Sequence, residues 1–369
     1  MQVCQLVNQL EPGGAQNLVL ELVRHSDEIS YTVCFLEDDS TMANEFCDAG
    51  AEVVPLNGAF KFDPRAVRRF YDVVSEGSFD VVHTHLAYSQ IVGRITARLA
   101  SWTPVVSTHH TVPWNNHPVT GNLERLTRRL DAYTIAVSNG VRDGYASERL
   151  DRLWANDTQW RTILNGVDVA EFYRQAKTTD VAALRSQWDV EDKLVFVNVS
   201  RYVPQKGQLD LIKAMDILIN DIPKAHLFII GYGPLHNKLK HAVHERGLSD
   251  SITITGQIRP IHGYYGFADA FVSSSVIEGL PLTHLEAMSA ELPVIATDIP
   301  GVREVVDEGQ TGRLIPPGRP DLLADAMRSL ASAELRTELG KRGHEVAAAR
   351  FNIDNALEQY VDLYHSLTS

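Results

Sequence analysis

The sequence predicts an α/β chain built from two doubly wound, parallel-sheet domains, and three observations carry that expectation. The chain has 369 residues and is 44% hydrophobic, more than one core usually organises. Short β-branched apolar runs alternate with longer amphipathic stretches, the rhythm of right-handed βαβ units. That rhythm breaks near residue 166 and then starts again, so the expected domains are 1–166 and 167–351, with a last helix over 352–369 joining the first domain.

In order, "QVCQLV" reads as a strand, "AQNLVLELVRHS" as a helix, "SYTVCFLE" as a strand, "TMANEFCDAG" as a helix and "AEVVPL" as a strand. "DVVHTHL", "TPVVSTHH" and "AYTIAVS" continue the strands, with "SQIVGRITARLAS" as a helix between the first two. Asn165-Gly166 is a turn signal, and a polar segment from Gln175 to Asp180 follows. The second set opens at "KLVFVNVSR" and runs through "GQLDLIKAMDILI", "AHLFIIG", "LHNKLKHAVHERG", "SITITG", "ADAFVSSS", "LPVIAT" and "GRLIPP". Beyond Gly318 only helical patterns remain, from about Pro320 to Arg350 and from Asn352 onward. In that tail Phe351, Leu357, Tyr360, Leu363 and Tyr364 fall near helical spacing, so the helix is expected to pack on the first domain.

A net charge of −13 argues against a general nucleic-acid binder, which needs a cationic footprint for phosphates. Any phosphate must therefore sit in a local pocket. Cys4, Cys34 and Cys47 lack CxxC spacing, and no companion histidine pattern suggests zinc, so free thiols are expected. No window reaches the roughly 18 apolar residues of a membrane span, and the N-terminus does not read as a signal peptide. The expectation is a cytoplasmic protein, at most peripheral at the inner face of a membrane.

In open α/β sheets ligands bind beyond the carboxyl ends of strands, which directs attention to the loops found there. After the first strand, "EPGGAQNL" offers Gly13 and Gly14 for close backbone approach and a helix start whose N–H groups favour an anion. Taken alone, the pair is better explained by a tight turn. "RYVPQKGQ" places Arg201 and Lys206 ahead of a helix, a planar fork and a point charge that suit a diphosphate or simply a solvated surface. "HLFIIGYGPL" has Gly231 and Gly233 without the full spacing of a dinucleotide loop, so a nicotinamide cofactor is disfavoured.

"VIEGLPLTHLEAM" puts Glu278 in a loop and Glu286 in the second turn of a helix expected to start near Leu282. Leu282 and Thr283 would then supply first-turn N–H groups for a phosphate. A loop acid can contact sugar hydroxyls and a helical acid can accept a ribose diol, but solvation and capping account for both as well. Spacing alone leaves these readings open. His83, His85, His109 and His110 follow strands without metal-ligand company, and neither a G-x-S-x-G elbow nor a G-x-x-x-x-G-K-[ST] loop occurs.

Together, "EPGGAQ", "SRYVPQKG", "SSSVIEGLPLTHLEAMSAELPVIATDIPGVREVV" and "GRLIPP" resemble the retaining glycosyltransferases of family 4 over nearly the whole chain. The resemblance implies the GT-B architecture: two facing Rossmann-like domains with an interdomain cleft, the first on the acceptor side and the second binding the nucleotide-sugar. It also implies roles. Gly14 lies near the donor phosphate and transferred sugar, Arg201 and Lys206 hold the diphosphate, and Glu286 binds the ribose. Glu278 contacts the transferred sugar, and His110, in its T-x-H context within "STHHT", touches that sugar or shapes the acceptor side. Leu280 and Pro281 depart from the commonest Phe and Gly; because proline has no N–H, phosphate contacts fall to Leu282 and Thr283.

The implied reaction needs no cofactor and no metal: a nucleotide-diphosphate sugar donates to an acceptor hydroxyl in polysaccharide, glycolipid or glycoconjugate assembly. No Asp-x-Asp at a strand end supplies a metal bridge. A lipid-linked acceptor would call for membrane contact, for which Arg125, Arg128 and Arg129 with Leu123, Leu126 and Leu130 form a candidate basic amphipathic face. The competing expectations are a GT-B phosphorylase or sugar-nucleotide epimerase, and a non-catalytic sugar-nucleotide-binding subunit.

Overall fold

The computed structural model describes residues 1–25, 28–115, 117–146 and 160–368. It divides into two compact units, Met1–Asn165 with Ile353–Ser369, and Gly166–Asn352.

The first unit carries seven parallel strands: β1 Gln2–Val7, β2 Ser30–Glu37, β3 Glu52–Gly58, β4 Val81–His85, β5 Val105–His109, β6 Tyr133–Ala136 and β7 Trp160–Thr162. Their order is β3-β2-β1-β4-β5-β6-β7, so the winding reverses between β1 and β4. Loops leaving adjacent strands at such a reversal diverge to opposite faces and open a crevice. Both faces of the sheet are covered, which is why the inner strands read as apolar runs. Gln5, His83, Thr84 and His85 are nevertheless fully buried within β1 and β4.

The helix Pro64–Glu76 lies outside the elements read from the sequence, although its signal was there: Asp63 caps it by accepting from the Arg65 N–H at 3.0 Å, with proline at the first turn. The C-terminal helix Ile353–Thr368 buries Leu357, Tyr360, Leu363 and Tyr364 in the core of this first unit, among Val3, Leu18, Val33 and Ile135. Each such burial is worth ~1.5–3 kcal/mol, enough to hold a helix so far from its neighbours in sequence.

The second unit has six parallel strands: β8 Leu194–Val199, β9 Ala225–Ile230, β10 Ile252–Gly256, β11 Ala270–Val272, β12 Val294–Thr297 and β13 Gly312–Ile315. The order β10-β9-β8-β11-β12-β13 places its reversal between β8 and β11. β11 is shorter than "ADAFVSSS" suggests: the Ser273 N–H still donates to Ile295 O of β12 at 2.8 Å, but Ser273, Ser274 and Ser275 then turn to side-chain hydrogen bonds. The polar stretch after Gln175 is no long linker: Asp168 caps the helix Val169–Lys177 and Asp180 caps Val181–Gln187.

Candidate functional site

In the second unit the loops after β8 and β11 meet at the strand reversal. Gly207 takes a left-handed conformation, φ 63°, at the start of the helix Gln208–Leu218, and a Cβ there would stand 2.2 Å from the Ser274 carbonyl. That close approach lets Ser274 Oγ donate to the Lys206 and Gly207 carbonyls at 3.2 and 2.9 Å, while the Val276 N–H reaches Gln205 O at 2.8 Å. Buried Gln208 ties Arg201 to the same turn through its carbonyl at 2.7 Å. The Arg201 side chain itself is exposed.

These stitches place Lys206 Nζ 2.6 Å from Glu278 Oε1, with the carboxylate side chain only 10% exposed. Burial, the largest single influence, pushes the Glu278 carboxyl upward, but the Lys206 ammonium together with His284 and the hydrogen bonds from Lys206 and Ser275 outweighs it, and the net shift is downward. Glu278 is therefore held ionised. The helix Leu282–Ser289 begins as read from the sequence, after Pro281 and without a side-chain cap, so Leu282 and Thr283 occupy its first turn.

Glu286, on the same helix, has the opposite setting. Burial raises its carboxyl, and the Tyr265 hydroxyl, donating to Oε2 at 2.7 Å, only partly offsets this. Lys206 and Glu278 are joined directly, whereas Glu286 is anchored separately from the helix His262–Phe267. Tyr265 escapes sequence reasoning because nothing at its position signals a contact 21 residues along the chain. His284, between the two acids, is also buried; its Nε2 has no hydrogen-bond partner among the described residues, and burial pushes the imidazole down to about 4.

In the first unit the loop after β1 leads to Gly14, the exposed first residue of the helix Gly14–Arg24, and Gln16 ties the turn by donating to Gln9 O at 2.9 Å. Across the reversal, Asn8 Oδ1 accepts from the Ser89 N–H at 3.0 Å. Leu86 adopts φ 73° at the turn after β4, strain of a kind that concentrates at functional sites. His110 follows β5 directly. A pocket of about 260 Å³ lies here, lined among others by Asn8, Leu86, Gln90, His110, Asn115 and His117. Gln90 Nε2 bonds Thr108 O at 2.9 Å while its buried Oε1 has no hydrogen-bond partner among the described residues.

The structure separates the adjacent histidines. His109 ends β5 in a buried charge cluster, 3.4 Å from Glu124, which also holds Arg94 at 3.0 Å and Arg128 at 2.6 Å; Arg94 forks onto Asp131 through two 2.7 Å bonds. Burial pushes the Glu124 carboxyl up, but its cationic partners bring it well below the usual range. Arg128 thus points inward, its guanidinium 4.6 Å from the Tyr145 ring centre. This corrects the basic face expected from Arg125, Arg128 and Arg129: the buried glutamate on the same helix claims the middle arginine.

Both halves match known families. The model for glycosyltransferase family 4 matches residues 12–171, and that for glycosyl transferases group 1 matches residues 180–346. The chain is 28% identical over 319 residues to an Escherichia coli UDP-Gal:alpha-D-GlcNAc-diphosphoundecaprenol alpha-1,3-galactosyltransferase, covering 82% of this chain and 79% of that protein. It is 29% identical over 279 residues to a Mycobacterium tuberculosis (H37Rv) GDP-mannose-dependent alpha-(1-6)-phosphatidylinositol monomannoside mannosyltransferase, covering 72% and 70% respectively. Among solved structures, Anabaena Alr3699/HepE in complex with UDP-glucose superposes with a TM-score of 0.89 at 20% identity, over 99% of this chain and all of that one. Two parallel Rossmann-like sheets with these matches define a glycosyltransferase of the GT-B fold. The chain belongs to glycosyltransferase family 4, in the group 1 glycosyl transferases.

Proposed function

We propose that the chain transfers a sugar, with retention and without a resident metal or cofactor, from a nucleotide-diphosphate sugar bound to the second unit onto an acceptor hydroxyl. The observation that carries this reading is the pair of acids on one loop and helix with opposed environments: Glu278 held ionised by Lys206, and Glu286 raised by burial and oriented by Tyr265. Environments that separate two nearby carboxyls give them different tasks. Glu278 lies beside the transferred sugar, where a fixed negative charge stabilises developing positive charge at the anomeric carbon. Glu286 accepts the ribose hydroxyls. Arg201, Lys206 and the amides of Leu282 and Thr283 receive the diphosphate as it leaves, and Lys206 has donors for both the phosphate and Glu278. In the first unit, Gly14 meets the donor phosphates and His110 the transferred sugar. Steady-state transfer from UDP-, GDP- and ADP-sugars, with the anomer of the product read by NMR, tests the reading; release of free sugar without an acceptor product, or an inverted anomer, would sink it.

A lipid-linked acceptor fits the names of the two relatives and a surface of the first unit. Ile95 and Leu99 on the helix Ala87–Ala100 and Trp102 just beyond its end are exposed, as are Val119, Leu123 and Leu126 on Pro118–Thr127. The two helices pack on each other through Arg94 and Glu124, and the acid-free first helix and the single, buried Glu124 of the second leave no outward carboxylate among them. Arg98, whose guanidinium lies 3.0 Å from the Trp102 ring centre, and Arg129 add cations. In a chain of net charge −13 this is the surface suited to an anionic bilayer, and it would place the enzyme at the inner face of the membrane. No helix among the described residues is long and apolar enough to cross one. Co-sedimentation with phosphatidylglycerol vesicles, lost in Leu99→Asp/Trp102→Asp, is the expected result; no sedimentation of the native chain would remove the idea.

A further inference from the structure

Hydrogen bonds around His110 continue well beyond the pocket. His110 Nε2 lies 3.0 Å from His85 Nδ1, and His85 Nε2 lies 2.9 Å from Gln5 Oε1. Gln5 Nε2 donates to the Tyr364 hydroxyl at 3.2 Å, and that hydroxyl lies 2.5 Å from His83 Nδ1. His83 Nε2 then meets Thr108 Oγ1 at 2.8 Å, which meets the Tyr360 hydroxyl at 3.2 Å. The line joins the first strand, two central strands and the C-terminal helix, and every member except His110 is buried at 3% exposure or less.

The three imidazoles are neutral. Burial pushes His83 and His110 down to about 3 and takes His85 well below its ordinary value, with the neighbouring histidines repelling any second charge on His83 and His85. A neutral imidazole has one donor and one acceptor, so each bond in the line dictates the next. The Gln5 carbonyl can only accept, so His85 carries its proton on Nε2 and offers a lone pair at Nδ1. His110 must then donate from Nε2, and its Nδ1 is left without a proton. In the other direction the Gln5 amide donates to Tyr364, whose proton points at His83 Nδ1, and His83 donates to Thr108.

We infer that Gln5, His85 and Tyr364 are positioning residues that fix His110 as its Nε2–H tautomer, so that Nδ1 presents a lone pair to a donating hydroxyl of the transferred sugar. This rests on His110 meeting the sugar, as proposed above. The C-terminal helix then has a task besides packing. Its Tyr364 hydroxyl accepts from the Gln5 amide, whose carbonyl faces His85, and that orientation of Gln5 decides whether the site accepts a hydrogen bond or gives one. A site built to accept from a sugar hydroxyl discriminates against a sugar lacking it, because its own lone pair is then left unpaired.

The test reads the tautomer directly. The full chain, labelled with ¹⁵N-histidine, is observed by two-bond ¹H–¹⁵N correlation at neutral pH, and His110 is assigned from the signal lost in His110→Gln. The expected result is an unprotonated Nδ1 and a protonated Nε2. In Gln5→Met and His85→Phe, His110 is expected to show mixed tautomers and kcat to fall roughly 3- to 10-fold, the loss of about one hydrogen bond, with nucleotide diphosphate affinity unchanged. Tyr364→Phe is expected to act in the same direction with smaller amplitude. A protonated Nδ1 or an imidazolium in the native chain overturns the inference without any variant having to fold, and so does an unchanged tautomer in His85→Phe. If the tautomer shifts and kcat does not, the placement of His110 at the sugar fails, and that outcome is distinct from a failure of the polarity itself.

Discussion

The two strand reversals of this glycosyltransferase are built on opposite electrostatic plans. In the second unit the reversal between β8 and β11 holds formal charges a few ångströms apart, Lys206 against Glu278 at 2.6 Å, with glycine and serine turns setting their positions. In the first, the crevice between β1 and β4 is backed by neutral imidazoles, an amide and hydroxyls; Lys61 also lines its pocket, and the ions of Arg94, Glu124, Asp131 and Arg128 form a paired cluster around His109. On the roles proposed above, charge stands where a diphosphate is held and released, and polarised but uncharged groups stand where hydroxyls are told apart. Fixed ions give strength at the cost of desolvation, whereas neutral hydrogen bonds give direction.

Lys206 is the sharpest place to break that contrast. Lys206→Ala removes the counter-ion of Glu278 and a diphosphate ligand together, and kcat/KM is expected to fall by roughly 10²–10³, about the loss of one preorganised donor at a developing charge. Glu278→Gln alone is expected to lower turnover with little change in donor affinity, and the double variant to lose less than the sum, because the two residues form one pair. Steady-state kinetics on all three decides it; additive losses would show that the pair acts as two separate residues.

Glu286→Ala is expected to weaken binding of the free nucleotide diphosphate by about 1.5–3 kcal/mol, the range for a hydrogen bond to a charged group, with less effect on turnover at saturating donor. Calorimetric titration is the measurement, and native affinity would disprove the ribose role. The pH dependence of the same titration follows from the raised Glu286 carboxyl. On the proposed role the ionised form accepts the ribose hydroxyls, so affinity should weaken as pH falls through that raised value, and the dependence should vanish in Glu286→Gln.

A smaller effect separates the two acids without substrate. Glu278 has a lowered carboxyl, so its ion pair stabilises the fold above the ordinary carboxylate range and is lost as pH falls through the folded value. Glu286 has a raised carboxyl, so its ionised form costs stability above that raised value, a cost relieved on acidification. Glu278→Gln should therefore destabilise the free protein at pH 7–8 by about 1–2 kcal/mol, and Glu286→Gln should stabilise it by less; the Glu286 difference shrinks as pH falls from its raised value to the ordinary carboxylate range, and the Glu278 difference shrinks only below that range. Denaturant unfolding at two pH values gives the answer; two shifts of the same sign would show that the environments are not opposed.

How much of the site was legible depends on whether its signal is local. Glu278 and Glu286 could be assigned to loop and helix because a Gly-Leu-Pro turn and the apolar pattern after it mark the helix start, and the helix does begin at Leu282. Arg128 could not be assigned, because an arginine at that spacing looks alike on either face; only a buried glutamate four residues earlier, itself held by Arg94 from another helix, turned it inward. Tyr265 and Gln5 gave no signal at all, since each becomes meaningful through a partner distant in sequence.

By itself, the sequence determined the two parallel-sheet units, the turns that shape the loops at their reversals, and the family, because apolar periodicity and turn chemistry act over a few residues and survive any change of neighbours. Only the tertiary structure decided which acid is ionised by an ammonium and which is raised by burial, that His109 and not His110 joins a charge cluster, and that a helix from the end of the chain touches His83 on β4. Those properties come from desolvation and from hydrogen bonds between groups up to 359 residues apart, which no local pattern encodes.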